Sequence, residues 1–245
     1  YAIYTWAVIV LIATIFWPLV ILAPRARWGW RVARLGGRVL GFATGTGPKT
    51  RGLEHVPSDG PCVFVANHAS YLDAFALMAA MPRPVSFVAK RELKANPLVH
   101  LLLRRLHTEF VERFDKQMGI DNARRIGAKP RSGWPVFYFP EGRLARMAGL
   151  RPFHMGAFVV AAESGVPVIP VALRGTRSVL RPGTQFPRRA AVTVTVGPAI
   201  GVMTDKDGKK PESDAWSEAL QLRSESRAHI LKACGEPDLA ADAEI

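Results

Sequence analysis

The segment Asn67-His68-Ala69-Ser70-Tyr71-Leu72-Asp73 sets an imidazole and a carboxylate five positions apart. It follows an apolar run, Cys62 to Ala66, that reads as a buried strand, and it leads into an amphipathic run, Leu72 to Met81, that reads as a helix. Across such a turn the Asp73 carboxylate can bond one imidazole nitrogen, fix the tautomer and leave the other nitrogen to take a proton. His68 would then be a positioned general base. The pair alone is not decisive, since either residue would serve equally as a helix cap or a satisfied buried polar group.

A second constellation, Phe139-Pro140-Glu141-Gly142-Arg143, closes the apolar run Val136 to Phe139. In open α/β sheets ligands bind at the carboxyl ends of the strands, so two polar motifs leaving strand ends there make a site. Ser70 does not suit a nucleophilic triad, because it stands two residues from the supposed base and lacks a G-x-S-x-G elbow. His55, His100, His107, His154 and His229 have no comparable setting and read as ordinary histidines. Cys62 and Cys234 are too few and too far apart for a disulfide framework or a zinc site, so no metal is expected.

These motifs require a sheet to carry them. From Thr50 onward short apolar runs alternate with longer amphipathic ones, which predicts an α/β fold: a single mixed, largely buried sheet flanked by helices. Expected strands are Cys62 to Ala66, Val85 to Ala89, Glu109 to Arg113, Val136 to Phe139, Val168 to Leu173 and Ala191 to Val196. Expected helices are Leu72 to Met81, Glu92 to Leu106, Lys116 to Ile126, Gly156 to Ser164 and Ser213 to Ala233. The stretch from Arg174 to Arg189, with Gly175, Pro182, Gly183 and Pro187, reads as a loop of no legible function. Three regions follow: residues 1–45, a hydrophobic and basic membrane-anchoring segment; 46–200, the α/β domain; and 201–245, a C-terminal helix with an acidic tail.

No charge occurs from Tyr1 to Pro24, a length that fits a bilayer-crossing helix, with Trp and Tyr towards both ends as at headgroup boundaries. Arg25, Arg27, Arg31, Arg34 and Arg38 follow, interleaved with Trp28, Trp30, Leu35 and Val39, which makes a basic amphipathic stretch suited to an anionic leaflet. Pro18 leaves a spanning and a re-entrant path both open. Residues 1–200 hold 27 basic against 10 acidic side chains, whereas residues 201–245 hold 6 against 10. Such a body calls for an anionic partner: nucleic acid, lipid headgroups or an acidic carrier protein. No aromatic-rich nucleic-acid motif is present, so nucleic acid is not expected.

Asn67-His68 through Asp73, then Phe139-Pro140-Glu141-Gly142, then Val166-Pro167-Val168-Ile169-Pro170 resemble three ordered motifs of the glycerolipid acyltransferase family, whose type member acylates 1-acyl-sn-glycerol-3-phosphate. Weaker matches at Arg51-Gly52-Leu53-Glu54, Lys90-Arg91-Glu92-Leu93, Phe110-Val111-Glu112-Arg113 and Phe153 with Gly156 extend the resemblance over roughly residues 50 to 200. It implies that His68 and Asp73 deprotonate an acceptor hydroxyl, which attacks an acyl thioester of coenzyme A or acyl carrier protein, with no acyl-enzyme and no cofactor. Asn67, Lys90, Arg113, Glu141, Gly142 and Arg143 are the implied substrate-binding positions, Lys90 and Arg113 for acceptor phosphate, and Glu141 and Gly142 for the acceptor pocket.

The family pattern usually continues Phe-Pro-Glu-Gly-Thr-Arg-Ser, whereas this chain reads Gly142-Arg143-Leu144. That variant resembles bacterial lysophosphatidylethanolamine acyltransferases, so a lysophospholipid or a lyso-aminolipid such as lyso-ornithine lipid is an alternative acceptor. The expected setting is a bacterial inner membrane with the catalytic domain on the cytoplasmic side. A reading of another class makes the chain a non-catalytic binder of anionic lipid, which explains the charge but leaves the two polar motifs unexplained.

Overall fold

The run Val63–Ala66 has no polar alternation, and none of its four residues reaches solvent, which requires a strand covered on both faces. The computed structural model, which describes residues 1–111, 134–201 and 215–240, places this strand, β2, at the middle of a sheet. The other strands are β1 (Lys49–Arg51), β3 (Ser86–Lys90), β4 (Glu109–Val111), β5 (Val136–Tyr138), β6 (Val168–Arg174) and β7 (Thr193–Val196). Their order across the sheet is β1-β7-β6-β2-β5-β3-β4. Neighbours run parallel except β6 and β7, which pair antiparallel, so the sheet is mixed as the sequence predicts.

Side chains alternate across β2 with the period of two that a strand imposes. Val63 and Val65 face a layer containing Phe158 and Ala161 of α5 (Gly156–Ser164) and Leu222 and Ile230 of α7 (Ala215–Cys234). Phe64 and Ala66 face Leu77 and Ala80 of α3 (Asp73–Ala80), together with Val20 and Trp30 from the N-terminal helices. The core therefore extends past residue 200, because α7 supplies part of one layer.

The N-terminal region is a helical hairpin. α1 (Ala2–Leu22) carries Pro18 without interruption, and α2 (Ala26–Thr44) returns antiparallel to it. The hydroxyls of Tyr1 and Tyr4 donate to Thr44 O and Ala43 O, both at 2.9 Å, and tie the open end. A Cβ at Gly36 would lie 2.9 Å from Phe16 Cγ, so the close approach of the two helices needs glycine there. α1 alone among the described residues is long and apolar enough to cross a membrane. Its outer face exposes Ile3, Val10, Leu11, Ile15, Leu19 and Leu22, and α2 adds Leu35, Val39 and Phe42, the last 90% exposed.

Some expected elements differ. The helix expected over Glu92 to Leu106 is a 3-10 turn, Arg91–Ala95, followed by α4 (Pro97–Arg105). Asn96 causes the break: its side chain accepts from Leu98 N and Val99 N, and Pro97 takes the first helical position. β1 was not expected, since all three of its residues are exposed and none is apolar. Within the expected loop from Arg174 lies a single short helix, α6 (Thr176–Val179). The helix expected at Lys116 to Ile126 falls outside the described residues.

Candidate active site

β2 ends at Ala66, and the chain must leave the sheet there. Asn67 carries it over the edge: its Nδ2 donates to Leu173 O at 2.9 Å, and its Oδ1 accepts from Leu173 N at 2.7 Å. The side-chain amide thus imitates one more rung of the ladder between β2 and β6. Both of its polar atoms are engaged and the residue is buried, so Asn67 fixes the start of the turn that carries His68.

Asp73 opens α3, and its Oδ2 draws the turn together by accepting from Ala69 N at 2.6 Å, Ser70 N at 2.8 Å and His68 Nδ1 at 2.9 Å. Its Oδ1 is buried without a partner among the described residues. A carboxylate flanked by amide donors accepts the imidazole hydrogen, so Nδ1 carries the proton and Nε2 presents its lone pair. The Asp73 side chain has no exposure and that of His68 keeps 20%, which leaves the ring reachable while its orienting carboxylate stays dry. Phe139 stacks on the imidazole at 4.1 Å between centroids and limits its rotation.

Glu141 joins the second motif to the first. Its Oε1 accepts from His68 N at 2.7 Å and its Oε2 from Arg151 N at 3.2 Å. Burial pushes its carboxyl above the ordinary glutamate range, against the pull of those two amides. The carboxylate therefore braces the backbone at His68. Gly142 makes the bend possible, with φ +75° and a would-be Cβ only 2.9 Å from His154 Cδ2.

Lys90 is exposed at the carboxyl end of β3, which adjoins β5, and Arg143 is exposed just after Glu141. Arg113 lies outside the described residues. Ser70 is fully buried, and its Oγ donates to Leu180 O at 2.7 Å, so it is no nucleophile.

Sequence reasoning missed the support of the loop after Arg143. Arg177 Nη1 donates to Ala145 O at 2.7 Å and its Nε meets Glu236 Oε1 at 2.8 Å, while Glu236 Oε2 accepts from Gly149 N at 2.6 Å. Pro237 O accepts from Leu150 N, and Leu239 N donates to Leu150 O. The chain beyond α7 thus clasps the loop. These partners are up to 89 positions apart, and no local pattern announces them.

A family model described as Acyltransferase matches residues 47–174, just over half of the chain. The chain belongs to the acyltransferase family. A 1-acyl-sn-glycerol-3-phosphate acyltransferase of Limnanthes douglasii is 31% identical over 199 residues, which are 78% of this chain and 70% of that one. A chloroplastic 1-acyl-sn-glycerol-3-phosphate acyltransferase of Brassica napus is 35% identical over 136 residues, 55% of this chain, and the match spans only 39% of the Brassica protein. The human beta form is 33% identical over 57% of this chain and 51% of its own length. The crystal structure of PlsC from Thermotoga maritima, titled a 1-acyl-sn-glycerophosphate acyltransferase, superposes with a TM-score of 0.72 at 21% identity and covers 95% of both chains, which establishes the common fold. These three relatives in sequence are plant and human proteins and lend no support to the bacterial source expected above.

The acyltransferase match begins before β1 and ends at Arg174, so it holds both His68 and Glu141. The strands bearing those motifs, β2 and β5, are adjacent and parallel, with Val63 opposite Val136. Both motifs consequently leave the same edge of the acyltransferase sheet. Two small apolar grooves lie along the hairpin helices, one against α3 and the other against the Val179–Leu180 segment, and share Leu40, Thr46, Leu72 and Val179. Leu72, within the His68 motif, lines both grooves.

Proposed function

We propose that this acyltransferase moves a fatty acyl group from a thioester of coenzyme A or acyl carrier protein to the free hydroxyl of 1-acyl-sn-glycerol-3-phosphate at a membrane surface. The observation that carries this reading is the imidazole of His68, oriented by Asp73 at 2.9 Å and still reachable, at the edge of the sheet that adjoins an uncovered apolar hairpin. His68 Nε2 takes the acceptor's hydroxyl proton as its oxygen attacks the thioester carbonyl carbon. The tetrahedral intermediate then collapses, the carbon–sulfur bond breaks, and the imidazolium returns the proton to the departing thiolate. The protein needs no covalent intermediate for this sequence. The names of the Limnanthes, Brassica and human relatives support the acceptor class.

The hairpin lies along one leaflet and does not cross the bilayer. To span the bilayer, α1 would have to withdraw Val20 from the core and give up the bonds made by Tyr1 and Tyr4. Lying flat, it keeps those contacts, puts its outer apolar face into lipid and sets the arginines of α2 near headgroups. Acceptor lipid then reaches His68 without leaving the membrane.

Arg143 favours a second acceptor reading. The exposed guanidinium directly after Gly142, where the family pattern has threonine, suits the phosphodiester of a lysophosphatidylethanolamine or the headgroup of a lyso-aminolipid. The purified protein should be incubated with labelled acyl-coenzyme A or acyl carrier protein and a panel of lyso-lipids, and the product identified. Diacylglycerol phosphate as the main product supports the first reading, and acylation confined to another acceptor replaces it. Absence of any acylated product, with lipid binding retained, would make the chain a lipid-binding protein.

A further inference from the structure

The loop from Arg181 to Arg189 has no part in the chemistry above, yet it is firmly built. At its root Leu180 O accepts from Ser70 Oγ at 2.7 Å, and Arg188 N donates to Val179 O at 2.8 Å. Pro182 and Pro187 are buried, and Thr184 N closes a turn onto Arg181 O at 3.1 Å. The far side is fixed to the hairpin: Trp6 Nε1 donates to Gln185 O at 2.8 Å, and a Cβ at Gly45 would lie 2.9 Å from Arg189 Nε. Arg189 therefore rests against the C-terminal cap of α2, where a cation is favoured.

Between these fixed points Phe186 stands 74% exposed. Arg181, Arg188 and Arg189 around it are also exposed, and no acidic residue occurs between Glu163 and Asp205. An uncovered ring held outward by a braced loop, with exposed Arg188 and Arg189 following it in sequence and Arg181 donating from Nε to Arg146 O, fits a surface that is apolar inside and anionic outside. Trp6, half-exposed at the edge of the outer face of α1, ties Phe186's loop to that face. An acidic protein would meet the arginines but would have to cover Phe186 beside the same edge of α1 that enters lipid. Continuity with that face favours lipid.

We infer, on the footing of the membrane association proposed above, that the loop Arg181–Arg189 is a second contact with anionic lipid, Phe186 entering the headgroup boundary and the arginines holding phosphates. With α1 and α2 as one contact and this loop as another, the domain cannot swivel about its hairpin. Because the loop is rooted on Ser70, the His68 motif is held at the lipid surface.

Cys62 and Cys234 are buried, and burial pushes the Cys62 thiol up to about 12, so Phe186→Cys offers a selectively reactive site for an environment-sensitive fluorophore. Vesicles of phosphatidylglycerol and phosphatidylethanolamine should shift the label's emission to the blue. Phe186→Ser and Arg188→Ala should each weaken vesicle binding by roughly three- to tenfold relative to the unaltered chain. If the unaltered chain binds the vesicles while the label keeps its aqueous emission and Phe186→Ser binds as tightly, the loop contact is wrong and the hairpin reading stands. A shift produced by an acidic carrier protein and not by vesicles also overturns it. If the unaltered chain fails to bind vesicles, the membrane association itself falls.

Discussion

Two orienting acceptors converge on His68, the proposed base, Asp73 on its ring and Glu141 on its backbone, and they should fail differently when altered. His68→Ala should lower kcat by about 10²–10⁴-fold while vesicle binding persists, as measured by single-turnover acyl transfer and sedimentation. Retained turnover would remove His68 from the mechanism. Glu141→Gln should change pH dependence of stability. Burial raises the Glu141 carboxyl pKa in the fold, so between the ordinary glutamate range and that raised value the folded state holds more protons than the unfolded state. Stability then falls as pH rises through that window, and the glutamine variant loses this component of the slope. Chemical denaturation of both forms across the window measures the difference; parallel curves would show that Glu141 is not perturbed.

The elements that matter most to the site are the loop after Glu141 and the segment beyond α7 that clasps it. Arg177 and Glu236 are both largely buried, and between them they bond Ala145 O, Gly149 N and each other. Arg177→Ala should release the loop bearing Arg143 and raise the acceptor KM about tenfold, the equivalent of one charged hydrogen bond, with a smaller effect on kcat. Arg177→Lys should recover part of the loss. Equal falls in kcat and kcat/KM with no change in KM would assign the pair to the chemical step instead. The break at Asn96 teaches the same lesson in a shorter span: Asn-Pro was readable as a helix start, but continuous apolar periodicity from Glu92 to Leu106 hid it.

At the scale of the whole molecule the hairpin is both part of the core and an exposed apolar face, the face proposed to meet the membrane. Deleting residues 1–40 would strip Val20 and Trp30 from the core under β2, so truncation confuses anchoring with folding. Single charges on the outer face separate the two: Leu11→Asp and Phe42→Asp should leave the fold intact and release the chain from vesicles. Continued sedimentation of the double variant would place the membrane contact elsewhere. Binding of the unaltered chain should also weaken as salt rises, because its basic body acts through screened charges.

Period and local spacing determined the class of the fold, the run of strands through Val168, and the pairing of His68 with Asp73, because each depends on neighbours within a few residues. The same local evidence could not rank the strands across the sheet, find the exposed edge strand β1, or foresee that Asn67 bonds Leu173 and that Glu141 bonds the backbone of His68. Those outcomes rest on hydrogen bonds across 73 and 106 positions. Such contacts form only once the sheet has fixed which strand ends are neighbours. Tertiary structure likewise decided that the apolar N-terminal helical hairpin lies against the domain, since Val20 and Trp30 join a core built with residues from Val56 to Val196.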